Sequence, residues 1–182
     1  LRLERHYVTP QCTPTRVALL TGRHPSRFGI HATVATDVRA LPPGTPTLAS
    51  RLHNAGWLTG QVGKWHLGSD FSAGPLHHGF TYAYGSLTGA IGMYDHATLK
   101  EGKRVETWHR NHERLDEPGH ATDLTADDAV RFIERAPADR PWFLYVAFNA
   151  PHAPLVERDP RWLEMNDHLG DPHRRLFAAA VS

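Results

Sequence analysis

The sequence predicts an α/β fold, a mixed and mainly parallel sheet flanked by helices, and three observations predict it. Twice, a segment with helix-capping residues is followed by a short run of β character: residues 45–56 by 57–62, and residues 125–136 by 142–148. The second run, Trp142-Phe143-Leu144-Tyr145-Val146-Ala147-Phe148 behind Pro141, is apolar throughout, as in a strand buried on both faces. Each run then gives way to a short segment carrying polar side chains, Lys64 and His66 after one and His152 after the other. In open α/β sheets ligands gather outside the carboxyl ends of the strands, so these segments are expected to meet at one edge.

Along the chain, the first helix is expected around Cys12, with Thr13 as cap, Pro14 in the first turn and Gly22 as stop. In residues 45–56, Thr45 is the expected N-cap, Pro46 the first helical residue and Gly56 the stop, with Leu48 and Leu52 on one face. Residues 71–94 are rich in glycine and aromatics without a clear period and read as an ordered loop. Residues 100–118 are highly charged and read as a surface hairpin that includes Trp108, His109 and His112. The helix of residues 125–136 carries Asp127 and Asp128 in its first turn, and Ala129, Phe132 and Ile133 at helical spacing. Residues 176–181 read as a further helix. There is no internal repeat, low-complexity tract or linker, so residues 1–182 are expected to form one domain.

Bulk properties exclude several classes. A net charge of +1 over 182 residues argues against binding nucleic acid by bulk electrostatics. No apolar window approaches a membrane-spanning length, and no secretory leader is visible in a chain that begins at Leu1. The 14 histidines stand mostly alone in polar segments. The pair His77-His78 invites a metal reading, but adjacent side chains diverge and no spaced third ligand follows, so a zinc module has only the histidine count behind it.

Cys12 is the one cysteine and has no disulfide partner within the chain. At a helix N-terminus it faces free N–H groups and the positive end of the dipole. Arg16, one turn on, adds a fixed cation. The combination suits an anionic substrate placed at the residue best able to attack it.

Cys12-Thr13-Pro14-Thr15-Arg16 followed by Leu20-Thr21-Gly22-Arg23 resembles the signature of the type I, formylglycine-dependent sulfatases. Gly63-Lys64-Trp65-His66-Leu67-Gly68 resembles the second signature of that family, and Asn149-Ala150-Pro151-His152-Ala153-Pro154 a third, shorter one. Between them, Gly79-Phe80, Gly85, Leu87-Thr88-Gly89, Tyr94-Asp95-His96 and Ala121-Thr122-Asp123-Leu124-Thr125 resemble the arylsulfatase B-like branch. The resemblance covers nearly the whole chain, in order. It implies an alkaline phosphatase-like fold and a sulfuric ester hydrolase acting on a small-molecule or carbohydrate sulfate ester.

The resemblance also implies roles. Cys12 becomes formylglycine, made by a formylglycine-generating enzyme, and its hydrate is both nucleophile and a ligand of a calcium ion. Arg16 holds the hydrate, Lys64 clamps sulfate, His66 is the base that lets sulfate leave, and His152 protonates the departing alcohol. His96 and Ser86 are weaker candidates for the substrate pocket. Family members are longer: they begin with a strand ending in paired aspartates and carry a further Asp-Asn or Asp-His pair and a second lysine later. The chain is therefore expected to be an internal piece of such a catalytic domain, with its sheet incomplete at both ends. Two alternatives stand beside this reading: a formylglycine-dependent phosphonate or phosphate ester hydrolase of the same superfamily, and a non-catalytic piece lacking most metal ligands.

Overall fold

Helices and strands both occur in the computed structural model, which describes residue 2, residues 4–33 and residues 38–182. In chain order they are α1 (Cys12–Thr21), α2 (Leu48–Asn54), β1 (Leu58–Gly63), β2 (Tyr82–Ser86), β3 (Ala97–Lys100) and β4 (Lys103–Glu106). There follow β5 (Trp108–Arg110), β6 (Glu113–Arg114), α3 (Ala121–Arg135), β7 (Trp142–Ala147), α4 (Pro160–Met165) and α5 (Pro172–Val181). The main sheet has the order β6-β5-β2-β1-β7; β2, β1 and β7 run parallel, and β5 and β6 antiparallel to their neighbours. The hairpin β3-β4 forms a separate ribbon.

Alternation of side chains along a strand gives each sheet face its own core. Phe143 and Tyr145 of β7 pack with Val17 and Leu20 of α1, Ala49 of α2, and Phe80. Leu144 faces the other way and joins Val62, Tyr84, Trp108 and Ala129 of α3. On that face the side chain of Phe132 lies so close to Gly60 that an added Cβ there would be 2.6 Å from it. Because β2, β1 and β7 are parallel, Gly63, Ser86 and Ala147 end at a common edge.

The mixed sheet flanked by helices agrees with the expected fold class, and several elements differ in detail. The segment of residues 71–94 contains a central strand, β2. Its burial and its pairing on both edges override glycines that alone favour a loop. The charged segment contributes β5 to the main sheet, so Trp108 and His109, expected at the surface, are each 1% exposed. Thr47 rather than Thr45 caps α2: its hydroxyl accepts the Ser50 N–H at 3.0 Å, and Ser50 Oγ reciprocates to the Thr47 N–H at 2.8 Å. α3 starts at Ala121, with His120 as cap. Asp128 therefore lies inside the helix, where it accepts from Tyr82 at 2.5 Å and pairs with Arg110 at 3.0 Å. β7 sits at an edge of the sheet, so it is half-exposed instead of buried on both faces. The terminal helix is longer than expected, Pro172–Val181. Among the described residues no helix is long and apolar enough to cross a membrane.

Candidate active site

Cys12 is the first residue of α1; Gln11, in extended conformation, is its N-cap, and Gly22 in the left-handed region ends it. Thr13 therefore does not cap the helix as expected: it is buried one residue inside, and its hydroxyl finds no partner. Gln11 works differently, with Oε1 accepting the Thr33 N–H at 2.6 Å. That places the Thr33 hydroxyl 3.4 Å from Cys12 Sγ. Burial pushes the Cys12 thiol up, but the Thr33 contact, the charge of Lys64 and the N–H groups of Thr13 and Cys12 outweigh it and hold the thiol below its ordinary value. The position favours negative charge.

Arg16 joins this helix to the sheet. Its guanidinium donates to the carbonyl of Lys64 and, at 3.3 Å, to the hydroxyl of Tyr145 on β7. The turn that bears Lys64 is fixed from both sides, because it continues the hydrogen bonding of β1 beyond the strand. Lys64 N–H donates to Ala147 O at 2.7 Å, Trp65 N–H to Ser86 O at 2.8 Å, and His66 N–H to Leu87 O at 3.1 Å. Gly63 makes this possible: at φ +94° any Cβ would lie 2.1 Å from Ala147 O. Trp65 anchors the turn from the opposite side, fully buried, with Nε1 donating to Ala73 O at 2.9 Å.

Lys64 and His66 are thereby held 3% and 5% exposed. Lys64 makes no ion pair among the described residues, and burial, then the nearby Arg16, pull its ammonium down to about 8. His66 is pulled to about 4, first by burial and then by the charges of Lys64, Arg16 and His152. Its Nδ1 is buried without a partner. His66 adopts φ +58°, and its ring lies against Gly89, where a Cβ would be 2.3 Å from Cε1 and Nε2. Cys12, Arg16, Lys64 and His66 thus form one polar group, built around the charges of Arg16 and Lys64, at the carboxyl edge of the sheet.

His152 reaches the same group from β7 through the turn after Asn149, whose carbonyl accepts its N–H at 3.0 Å. The residue is exposed, and its ring makes a local hydrogen bond, Nδ1 to Ala153 O at 2.7 Å. His96 is placed otherwise. Its ring stacks on Trp108 with centroids 4.6 Å apart, and Nε2 pairs with Gly119 O at 3.0 Å, inside the second core. Ser86, fully buried, stands at the edge beside Asn149. A groove of about 590 Å³ lies between residues 6–9 and the outer side of α1 around Leu19, away from the polar group.

Sequence reasoning did not single out Thr33, and it named Tyr145, Gly89 and Asn149 only within longer runs, without a role at the site. Tyr145 had a signal: strand alternation puts it on the face that α1 covers. Thr33 had none, since its place depends on the side chain of Gln11.

A family model described as sulfatase matches residues 1–174. The chain belongs to the sulfatase family. Human N-acetylgalactosamine-6-sulfatase is 34% identical over 189 aligned residues, which take in 94% of this sulfatase chain and 35% of the relative. Mouse arylsulfatase J is 30% identical, covering 100% of this chain and 31% of its own length. The chain thus spans about a third of the length of the curated relatives it matches. Among solved structures, Ps i-CgsB in complex with k-i-k-neocarrahexaose superposes with a TM-score of 0.83 at 28% identity, over 93% of this chain and 41% of that one. BT4656 in complex with D-glucosamine-2-N,6-O-disulfate shares the fold, with a TM-score of 0.71 at 23% identity over 93% of this chain and 31% of that one. The alkaline phosphatase-like fold expected from the motifs is the fold of these sulfatases. Membership also implies a metal cofactor.

Proposed function

We propose that this chain carries the nucleophile side of a sulfuric ester hydrolase that cleaves a sulfate monoester, most fittingly on a carbohydrate. The observation that carries the reading is the Arg16 contact with the Lys64 carbonyl, which ties the N-terminus of the Cys12 helix to the turn of Lys64 and His66. Support for a sugar ester comes from the relatives, whose names and bound ligands include sulfated sugars.

Formylglycine at Cys12, made by a formylglycine-generating enzyme, would supply an aldehyde hydrate: one hydroxyl displaces the alcohol from sulfur, and the other then expels sulfate as the aldehyde re-forms. The position fits that group, because the Thr13 N–H, the Thr33 hydroxyl and Lys64 already favour an anionic oxygen there. Lys64, with no carboxylate partner among the described residues, neutralises the sulfate oxygens. Arg16 keeps α1 and the Lys64 turn in register. His66, neutral at physiological pH, can take the proton released as sulfate departs. The His152 Nδ1–H is donated to Ala153 O, so Nε2 would give its proton to the departing alcohol from the doubly protonated ring, which is left neutral. The ring of His96 is engaged with Trp108 and Gly119, so this reading gives it no part in holding the ester.

Calcium is the metal that the resemblance implies. Among the described residues no group of three or more His, Cys, Asp or Glu side chains could hold a metal ion. These residues do not by themselves fit a calcium site, and no step here runs through one.

The test is co-expression of the full-length protein with a formylglycine-generating enzyme. Peptide mass spectrometry should show loss of the Cys12 thiol and an aldehyde that reacts with hydrazide. The modified protein should turn over an aryl sulfate faster than an aryl phosphodiester. An unmodified thiol, or the reverse preference, would refute the reading.

A further inference from the structure

Asn149 belongs to the third motif, yet the reaction above gives it no role, and it is only 4% exposed. Its Nδ2 donates to Ser86 Oγ at 3.1 Å, while its carbonyl accepts the N–H of His152 at 3.0 Å. Ser86 is fully buried at the end of β2, and its own carbonyl accepts the Trp65 N–H at 2.8 Å. One continuous set of hydrogen bonds therefore links the turn of Lys64 and His66, the end of β2 and the turn of His152. Two buried atoms along it have no partner, Asn149 Oδ1 and His66 Nδ1. An unpaired buried amide oxygen costs stability, and a residue kept only for packing would do better without it.

We propose that Asn149 is a positioning residue: by holding Ser86 with its amide and His152 with its carbonyl, it sets where His152 stands relative to His66. The proposal rests on the proton-donor role given to His152 above. The physical need is clear from the surroundings of His152. Its side chain is exposed and its ring bond is local, so its place is set by the backbone that bears it. A donor misplaced by about 1 Å can lose on the order of 100-fold in rate.

The experiment compares Asn149→Ala, Ser86→Ala and His152→Ala in the full-length protein, with kcat taken per folded molecule. Asn149→Ala and Ser86→Ala should each lower kcat on a sugar sulfate by about 10- to 100-fold, with KM changed less than about twofold. Turnover of nitrophenyl sulfate, whose leaving group needs no proton, should change less than about threefold. Asn149→Ala combined with His152→Ala should be no slower than His152→Ala alone. Losses that multiply in the double variant, equal losses on both esters, or a loss that comes only from a smaller amount of folded protein would overturn the proposal. If His152→Ala itself ignores the leaving group, the donor role fails. The coupling of Asn149 to His152 is then decided by non-additivity alone, and independent losses would overturn it.

Discussion

Two turns leave neighbouring parallel strands at the same edge of this sheet and are built in opposite ways. The one after β1 is closed: Lys64, Trp65 and His66 each donate a backbone N–H to an adjacent strand or its extension, and all three side chains are buried. The one after β7 is open: His152 is exposed, and one backbone bond and the Asn149 side chain tie its turn down. The difference matches the roles proposed for the two turns. Groups that hold a fixed anion gain from low dielectric and from immobility. A group that meets different alcohols gains from standing at the open side of the pocket.

Ranked by turnover, the first test of this contrast is His66→Ala in the full-length protein. Loss of a proton acceptor from the closed turn should slow sulfate release about 10²- to 10⁴-fold on every ester, whichever alcohol has left. Sulfated protein should accumulate and be visible by intact mass. Equal activity with no adduct would remove His66 from the reaction.

His152→Ala should be next, and selective. A sugar hydroxyl leaves poorly without a proton, so the loss should be about 10²-fold on sugar sulfates and only a few-fold on nitrophenyl sulfate. Parallel kinetics on the two esters check it; equal losses would mean that the open turn serves binding rather than proton transfer.

How far the sequence could foretell this contrast depends on the kind of signal. The turn of Lys64 and His66 was legible because glycines bracket a motif that follows a run of β character, α3 because its apolar residues fall at helical spacing, and β7 because its run is apolar throughout. The closure of the first turn was not legible. It depends on β2, whose glycines and mixed pattern conceal a strand, and on partners such as Ser86 and Ala147 that lie far away in sequence. The burial of Trp108 and His109 was hidden for the same reason: a charged hairpin reads as surface until β2 is there to pair with it. Asn149 looked like part of a motif, and only its contact with Ser86 gives it a distinct task. Local capping was misplaced at Thr45 and Thr13 because several residues there satisfy the same rule, and tertiary contacts choose among them.

The third test strikes the packing of the closed turn. Gly89→Ala would put a Cβ 2.3 Å from the ring of His66, with Lys64 and Trp65 too well held to yield. The expected result is a destabilisation of about 1–3 kcal/mol and roughly a tenfold loss of turnover. Thermal unfolding and kcat per folded molecule measure the two parts. Full activity in a stable Gly89→Ala protein would show that the His66 ring has more room than its burial indicates.

The last test should leave turnover at neutral pH unchanged, and it separates burial from function. His78 is pulled to about 4 just as His66 is, yet by different neighbours: burial first, then Arg39 and His77. It stacks on Trp65 at 5.6 Å, and both its ring nitrogens are buried without partners. A depressed histidine is therefore no mark of the site in itself; the company of Lys64, Arg16 and Cys12 distinguishes His66. For His78 the sign follows from linkage. Above pH 6.5 both folded and unfolded chains hold it neutral and it has no effect. As pH falls from 6.5 towards 4 the unfolded chain takes up a proton that the folded chain refuses, so stability declines, by up to about 3 kcal/mol. His78→Leu fills a similar volume and removes the titration, so it should reduce the acid slope of the unfolding free energy over that range while kcat at pH 7 stays within about twofold. An unchanged slope would mean that the chain relaxes to hydrate His78 once it is charged. A large fall in kcat would mean that His78, through Trp65, helps to hold the closed turn in place.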